Sequence, residues 1–171
     1  VGRPDEILKA LALKPGEKVA DIGSGGGYFT LRFAEAVGRK GRVYAVDTNP
    51  GFLEFIENSA REKGLDNIET VLVKEGEPAL PEGSLDLVFT RSVYHHLPGR
   101  IKYFRNLMPA LKPDGRVVVL EYTRGGFFRR IFGHYVDQET IVKEMESAGY
   151  KVEKKFEFLP EQSFTVFSLG E

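Results

Sequence analysis

Residues 19–28 read Val-Ala-Asp-Ile-Gly-Ser-Gly-Gly-Gly-Tyr, an apolar strand that runs into a glycine turn and then a helix. Glycines tolerate positive φ and let a ligand come close to the backbone. The helix start adds unpaired N–H groups and the positive end of a dipole. Such a turn is built to bind a nucleotide or a carboxylate. No lysine follows in a Gly-Lys-Ser/Thr pattern, so it is not a P-loop. Gly23 and Gly25 fit the dinucleotide fingerprint Gly-x-Gly-x-x-Gly. The third glycine, needed for close helix–strand packing, falls on Tyr28. Asp21, two residues before the first glycine, opposes a pyrophosphate and favours a cationic or amine-bearing ligand. Asp47 ends the next strand, where a carboxylate accepts hydrogen bonds from a ribose diol. A second group lies further on. His95 and His96 are two of the three histidines in the chain. Imidazole titrates near neutrality, which suits a general base; packing or capping of the following helix is the other reading of the pair. Tyr94 and Glu121 are further candidates for the same task. His134, beside Tyr135, either lines a substrate pocket or is a solvated loop residue.

These side chains need elements to position them, and the punctuation of the chain supplies them. Residues 4–13 read as an amphipathic helix with Pro4 near its start, and 14–17 as a turn. Residues 18–22 form a strand, 28–37 a helix closed by Gly38, and 42–47 a second strand. Asn49 and Pro50 occupy the N-cap and first position of a helix that runs to about Lys63 and stops at Gly64. Residues 67–73 and 85–90 are strands, joined by a loop at 75–83 instead of a helix. A helix from Pro98 ends near Met108, before Pro109. A turn at 112–115 leads into a strand at 116–122. Asp137 caps a last helix that Gly149 stops, and 150–158 with 162–169 alternate as a hairpin. Short apolar strands separated by helical segments mean βαβ units and a mostly parallel sheet covered on both faces.

Composition narrows the function. At 171 residues the chain is read as one domain, residues 1–171. Cys 0 excludes a disulfide scaffold, cysteine-ligated metal and a cysteine nucleophile, and no metal site is expected. Lys+Arg 24 against Asp+Glu 25 gives a net charge of −1, which argues against a globally basic nucleic-acid binder. No apolar run approaches membrane-spanning length and the first residues are charged, so a soluble, cytoplasmic protein is expected.

The stretches VADIGSGGGYFT (19–30), VYAVDTNP (43–50), LDLVFTRSVYHHL (85–97) and LKPDGRVVVLEY (111–122) together resemble the class I S-adenosylmethionine-dependent methyltransferases. The resemblance covers nearly the whole chain. Within that family the sequence is similar to the small-molecule enzymes of the quinone-biosynthesis and arsenite type; arsenite chemistry needs cysteines, which are absent. The resemblance implies a three-layer, doubly wound α/β fold with a mostly parallel seven-stranded sheet of order 3-2-1-4-5-7-6, the last strand antiparallel. It implies S-adenosylmethionine as cofactor. Asp21, Gly23, Ser24, Gly25 and Tyr28 then surround its methionine half, Asp47 takes the ribose hydroxyls, and Thr48 flanks the adenine. The adenine amine falls to Glu75, Glu77 or the backbone near Gly76. Arg91 is counted with the cofactor residues, and Ser92, Tyr94, His95, His96 and the loop from Glu121 border the transferable methyl group.

The expected activity is in-line methyl transfer to a small-molecule acceptor. Residues 90–93, Thr-Arg-Ser-Val, lack the Asn-Pro-Pro-Tyr type motif of amino-methylating nucleic-acid enzymes. Two other readings stay open. One is an RNA or protein methyltransferase that docks through residues 124–135, where Phe127, Phe128 and Phe132 alternate with Arg124, Arg129 and Arg130. The same segment reads equally as a lid. The other is a cofactor-binding subunit that needs a partner or a second copy, because few residues precede the first helix.

Overall fold

In a computed structural model of the chain, residues 3–122 and 135–170 are described. The segment expected to act as a lid or docking patch lies outside them over residues 124–134, His134 included. The described residues form seven strands: β1 Lys18–Ile22, β2 Arg42–Asp47, β3 Ile68–Leu72, β4 Leu85–Arg91, β5 Leu111–Tyr122, β6 Tyr150–Phe156 and β7 Gln162–Leu169. Their order in the sheet is β3-β2-β1-β4-β5-β7-β6, with β7 antiparallel to both its neighbours. This is the architecture implied by the sequence motifs. The chain divides into two compact units, residues 1–73 and 74–171. No helix among the described residues is long and apolar enough to cross a membrane.

In the first unit, helices α1 Pro4–Leu11, α2 Tyr28–Val37 and α3 Pro50–Glu62 accompany parallel strands β1, β2 and β3. β1 and β2 are apolar and buried nearly throughout, as strands covered on both faces must be. β3 is an edge strand and half-exposed. The β1–β2 register sets Asp21 beside Ala45 and Ile22 beside Val46, and the β2–β3 register sets Asp47 beside Leu72, so the C-terminal ends of β1 and β2 lie side by side. Asn49 caps α3 as its residue type predicts, accepting from the N–H groups of Gly51 at 2.8 Å and Phe52 at 3.4 Å. Asn67, buried just before β3, donates to the Ala34 and Gly38 carbonyls at 2.8 and 2.9 Å and so ties down the end of α2.

In the second unit, β4 and β5 are parallel, and the β6–β7 hairpin joins β5 antiparallel. Two helices follow, α4 Arg100–Leu107 and α5 Gln138–Ala148; α5 packs on β6 and β7, and α4 packs on α5. The loop over 73–84 contains no helix, as its Glu, Pro and Gly content predicts. Two local readings differ. The helix expected from Pro98 begins at Arg100, because Gly99 takes a left-handed conformation, φ 56°, and a separate 3₁₀ turn holds Tyr94–His96. The turn expected at 112–115 lies inside β5. Leu85 pairs with Leu111 and Leu87 with Arg116, so the intervening residues bulge from a strand that resumes on the same partner.

Candidate functional site

The glycine turn of the first unit is wired to β2. The N–H groups of Gly23 and Ser24 both donate to the Val46 carbonyl, at 2.8 and 3.1 Å, continuing the β1–β2 ladder past the strand ends. The Gly25 N–H then donates to Asp47 Oδ2 at 2.9 Å, and the Asn49 N–H donates to Asp47 Oδ1 at 2.9 Å. A carboxylate offers about four lone-pair directions. Two are spent on holding the side chain in place, and two are left for a pair of hydroxyls. Gly25 sits at φ 54° with nothing within 4 Å of where a Cβ would project. That is open space beside the carboxylate, where a ligand can reach the backbone. The Ser24 hydroxyl is buried and has no partner among the described residues, an unspent polar atom of the kind a ligand satisfies.

Asp21 is buried, and its Oδ2 accepts the buried Thr30 hydroxyl at 2.7 Å. The bond clamps the end of β1 to the first turn of α2 and fixes the direction of the loop between them. Thr30→Val keeps the shape and removes this donor. It is expected to destabilise the fold by about 1–3 kcal/mol, read as a Tm roughly 3–10 °C lower. An unchanged Tm would mean that the clamp contributes nothing.

Gly27 does what the sequence reading asked of position 28. A Cβ there would lie 2.7 Å from Ile56 Cγ1, so the loop packs directly on α3 only because position 27 has no side chain. Tyr28 begins α2 and is 45% exposed, its ring covered by the Arg32 guanidinium at 3.7 Å. It therefore needs no glycine, and its presence does not disturb the turn. Thr48 is exposed. Phe52 and Phe55, 45% and 60% exposed, line a cavity of about 440 Å³ with Gly26, Asn49 and Gly51. They give the loop an apolar flank that the sequence reading missed. Its only signal was two aromatics at helical spacing, Phe52 and Phe55, beside the buried Leu53 and Ile56 of α3.

The second unit carries the other candidates. Arg91 closes β4, half-buried, and Ser92 follows at φ 57°, a left-handed conformation that a non-glycine residue adopts under strain. Its N–H donates to the Leu120 carbonyl at 2.9 Å. The chain then folds into the 3₁₀ turn, which brings His95 onto Glu121 of β5. Glu121 is fully buried. It accepts the His95 N–H at 3.2 Å and the Tyr122 N–H at 3.1 Å, and His95 Nδ1 lies 3.1 Å from both carboxylate oxygens. His96 is exposed, its ring edge-on to His95 with centroids 5.0 Å apart. Tyr94 is buried and donates its hydroxyl to Glu144 Oε1 at 2.8 Å, while Arg100 Nε and Nη2 also grip Glu144. Burial, and then the bond to Glu144, hold the Tyr94 hydroxyl well above the usual tyrosine range. Tyr94 is thus an anchor between the turn and α5, not a base. In the loop after β3, Glu75 and Glu77 are exposed and Gly76 is half-buried at φ 84°.

A family model described as a methyltransferase domain matches residues 13–163. The chain belongs to the methyltransferase domain family. The class I, S-adenosylmethionine-dependent type anticipated from the four sequence stretches is the type to which this chain belongs, and S-adenosylmethionine is its cofactor. Among curated relatives, the ubiquinone/menaquinone biosynthesis C-methyltransferase UbiE of Vibrio vulnificus is 30% identical over 115 residues, which cover 67% of this chain and 44% of that protein. UbiE of Shewanella sediminis is 26% identical over 157 residues, covering 90% of the chain and 62% of the relative. The methyltransferase chain thus spans about half the length of the curated relatives it matches. Among solved structures, an S-adenosylmethionine-dependent methyltransferase from Aquifex aeolicus superposes with a TM-score of 0.85 at 24% identity, covering 96% of this chain and 88% of the other. At that identity the superposition speaks for the fold.

The residues present fit the cofactor. A carboxylate with two lone-pair directions to spare matches a ribose diol. The unspent Ser24 hydroxyl and the N-terminal end of α2 match a charged amino-acid group. The aromatic flank matches a planar base. The loop of this methyltransferase offers no lysine to a phosphate, and the cofactor carries none.

Proposed function

We propose that this methyltransferase transfers a methyl group to a small-molecule acceptor by in-line displacement. The observation that carries the reading is the Asp47 carboxylate, fixed by Gly25 and Asn49 with two acceptor directions still unspent. S-adenosylmethionine, when bound, supplies a methyl group on a positive sulfur, which keeps the C–S electron pair and leaves neutral. The protein therefore has little to do for the leaving group, and its work is to hold the reactants in line. Asp47 and Thr48 hold the nucleoside end. Asp21, Gly23, Ser24, Gly25 and Tyr28 hold the amino-acid end, and Glu75, Gly76, Glu77 and Arg91 complete the cofactor set. His95, with His96 beside it, receives the proton that a hydroxyl or activated carbon acceptor gives up.

The small-molecule reading is supported by the relatives named for quinone C-methylation and by the net charge of −1, which gives no electrostatic pull toward nucleic acid. The test is transfer of labelled methyl from S-adenosylmethionine to a panel of hydroquinones, phenols and amines, with total RNA and protein run alongside. Label in a small molecule is the expected result. Label in RNA or protein would overturn the acceptor class.

A further inference from the structure

The structure assigns to Glu121 the positioning of His95, with Nδ1 protonated and Nε2 presented as the proton acceptor. This rests on the methyl-transfer reading above and names its acceptor class: one that carries a proton to lose. Glu121 is fully buried at the C-terminal end of β5, the end at which open α/β sheets bind their ligands. Two backbone N–H groups, of His95 and Tyr122, already point at its oxygens. Donors of this kind favour the carboxylate form, and a carboxylate has no hydrogen to give. The hydrogen in the contact with His95 Nδ1, 3.1 Å from each oxygen, therefore belongs to the ring. A neutral imidazole with its hydrogen on Nδ1 has its basic lone pair on Nε2. The ring is 15% exposed, so it is screened from water without being sealed off.

The backbone around the pair is shaped for this contact. Ser92 accepts a left-handed conformation, and the 3₁₀ turn follows at once, so the His95 N–H and Nδ1 address the same carboxylate. Strain of this kind persists where surrounding structure demands it, and it gathers at functional sites. Among the described residues, Glu121 from β5 and His96 from its own turn stand against the His95 ring. In the reaction, the acceptor atom bonds to the methyl carbon, the C–S bond breaks toward sulfur, and the acceptor's proton passes to His95 Nε2. The imidazolium that results is held by the Glu121 carboxylate. A thioether or tertiary amine has no proton to surrender and draws no benefit from this arrangement, whereas a phenol, enol or hydroquinone does.

The test begins on the protein without any acceptor. Long-range ¹H–¹⁵N correlation of ¹⁵N-histidine-labelled protein, with His95 assigned by its absence in His95→Gln, reports which ring nitrogen is protonated. The Nδ1-protonated tautomer is expected, and Glu121→Leu is expected to shift the ring toward the Nε2-protonated form. An Nε2-protonated ring in the unaltered protein, which needs no variant to observe, overturns the assignment. So does a tautomer that Glu121→Leu leaves unchanged. Cofactor affinity, measured by calorimetry with S-adenosylhomocysteine, is expected to be unaltered in both variants. Lack of that binding in the unaltered protein would instead sink the methyl-transfer reading. With a phenolic acceptor, Glu121→Leu is expected to lower kcat by about tenfold or more, since a placed base is worth about 10²–10⁴, and to leave KM unchanged. A rise in KM at constant kcat would make Glu121 a binding residue and refute its action through His95.

Discussion

Asp47→Ala is expected to abolish the thermal stabilisation that S-adenosylhomocysteine gives the protein. Asp47 does two jobs with one carboxylate. It ties the glycine turn to the start of α3 through Gly25 and Asn49, and it keeps acceptors for a ribose diol. Hydrogen bonds to a charged group contribute about 1.5–3 kcal/mol each. Losing two from the ligand weakens binding by roughly 10²–10⁴. Ligand at about 100 times its dissociation constant adds about 2.7 kcal/mol, or roughly 5–10 °C of Tm for a chain of this length. The variant should show almost none of that shift at the same concentration. Asp47→Asn is expected to fall between the two, because its single acceptor oxygen cannot serve both backbone N–H groups. A full shift in Asp47→Ala would mean that the diol is held elsewhere, and the assignment of the loop would fail with it.

The largest loss of stability is expected at Gly27. It stands at φ 86° as the N-cap of α2, and a Cβ there would press to 2.7 Å of Ile56 Cγ1. Ile56 is fully buried with Ala45 and Leu53 and cannot step aside. The left-handed backbone costs a side chain about 1–2 kcal/mol, and overpacking adds about 1–3 kcal/mol. Gly27→Ala should thus lower Tm by roughly 4–20 °C. A double-mutant cycle separates the two contributions. In an Ile56→Ala background the collision is gone, and the same substitution should cost only the backbone part. Equal costs in both backgrounds would show that the collision is relieved some other way.

The sequence made the scaffold legible because its rules are local. Continuous apolar runs identified β1, β2 and β4 as buried strands, and Asn49 and Asp137 announced their helices through side chains that cap the next turn. The placing of Asp47 near the glycine loop was readable too, since adjacent parallel strands end together. Other features were not. The start of α4 was misplaced because Pro98 is a permitted first residue, and only the left-handed Gly99 determines where the helix begins. The 112–115 turn was read as the boundary of a strand because a turn inside a strand needs a partner that continues past it, and β4 is that partner.

The site divides in the same way. Residue types in sequence pointed to the glycine loop with Asp21 and Asp47 as the place for a nucleoside cofactor, and to His95 and His96 as basic groups after β4. Only the tertiary structure decided that Gly27, not position 28, is where the loop needs its glycine, because the crowding atom belongs to Ile56 on another helix. It alone paired His95 with Glu121, 26 residues away, and Tyr94 with Glu144, 50 residues away. Those pairings separate a histidine held by a buried carboxylate from a tyrosine committed to an ion pair. The reason is physical: a residue's chemistry is set by what faces it, and strand register and helix packing choose the facing partner. Neither leaves a mark in the residues close by in the chain.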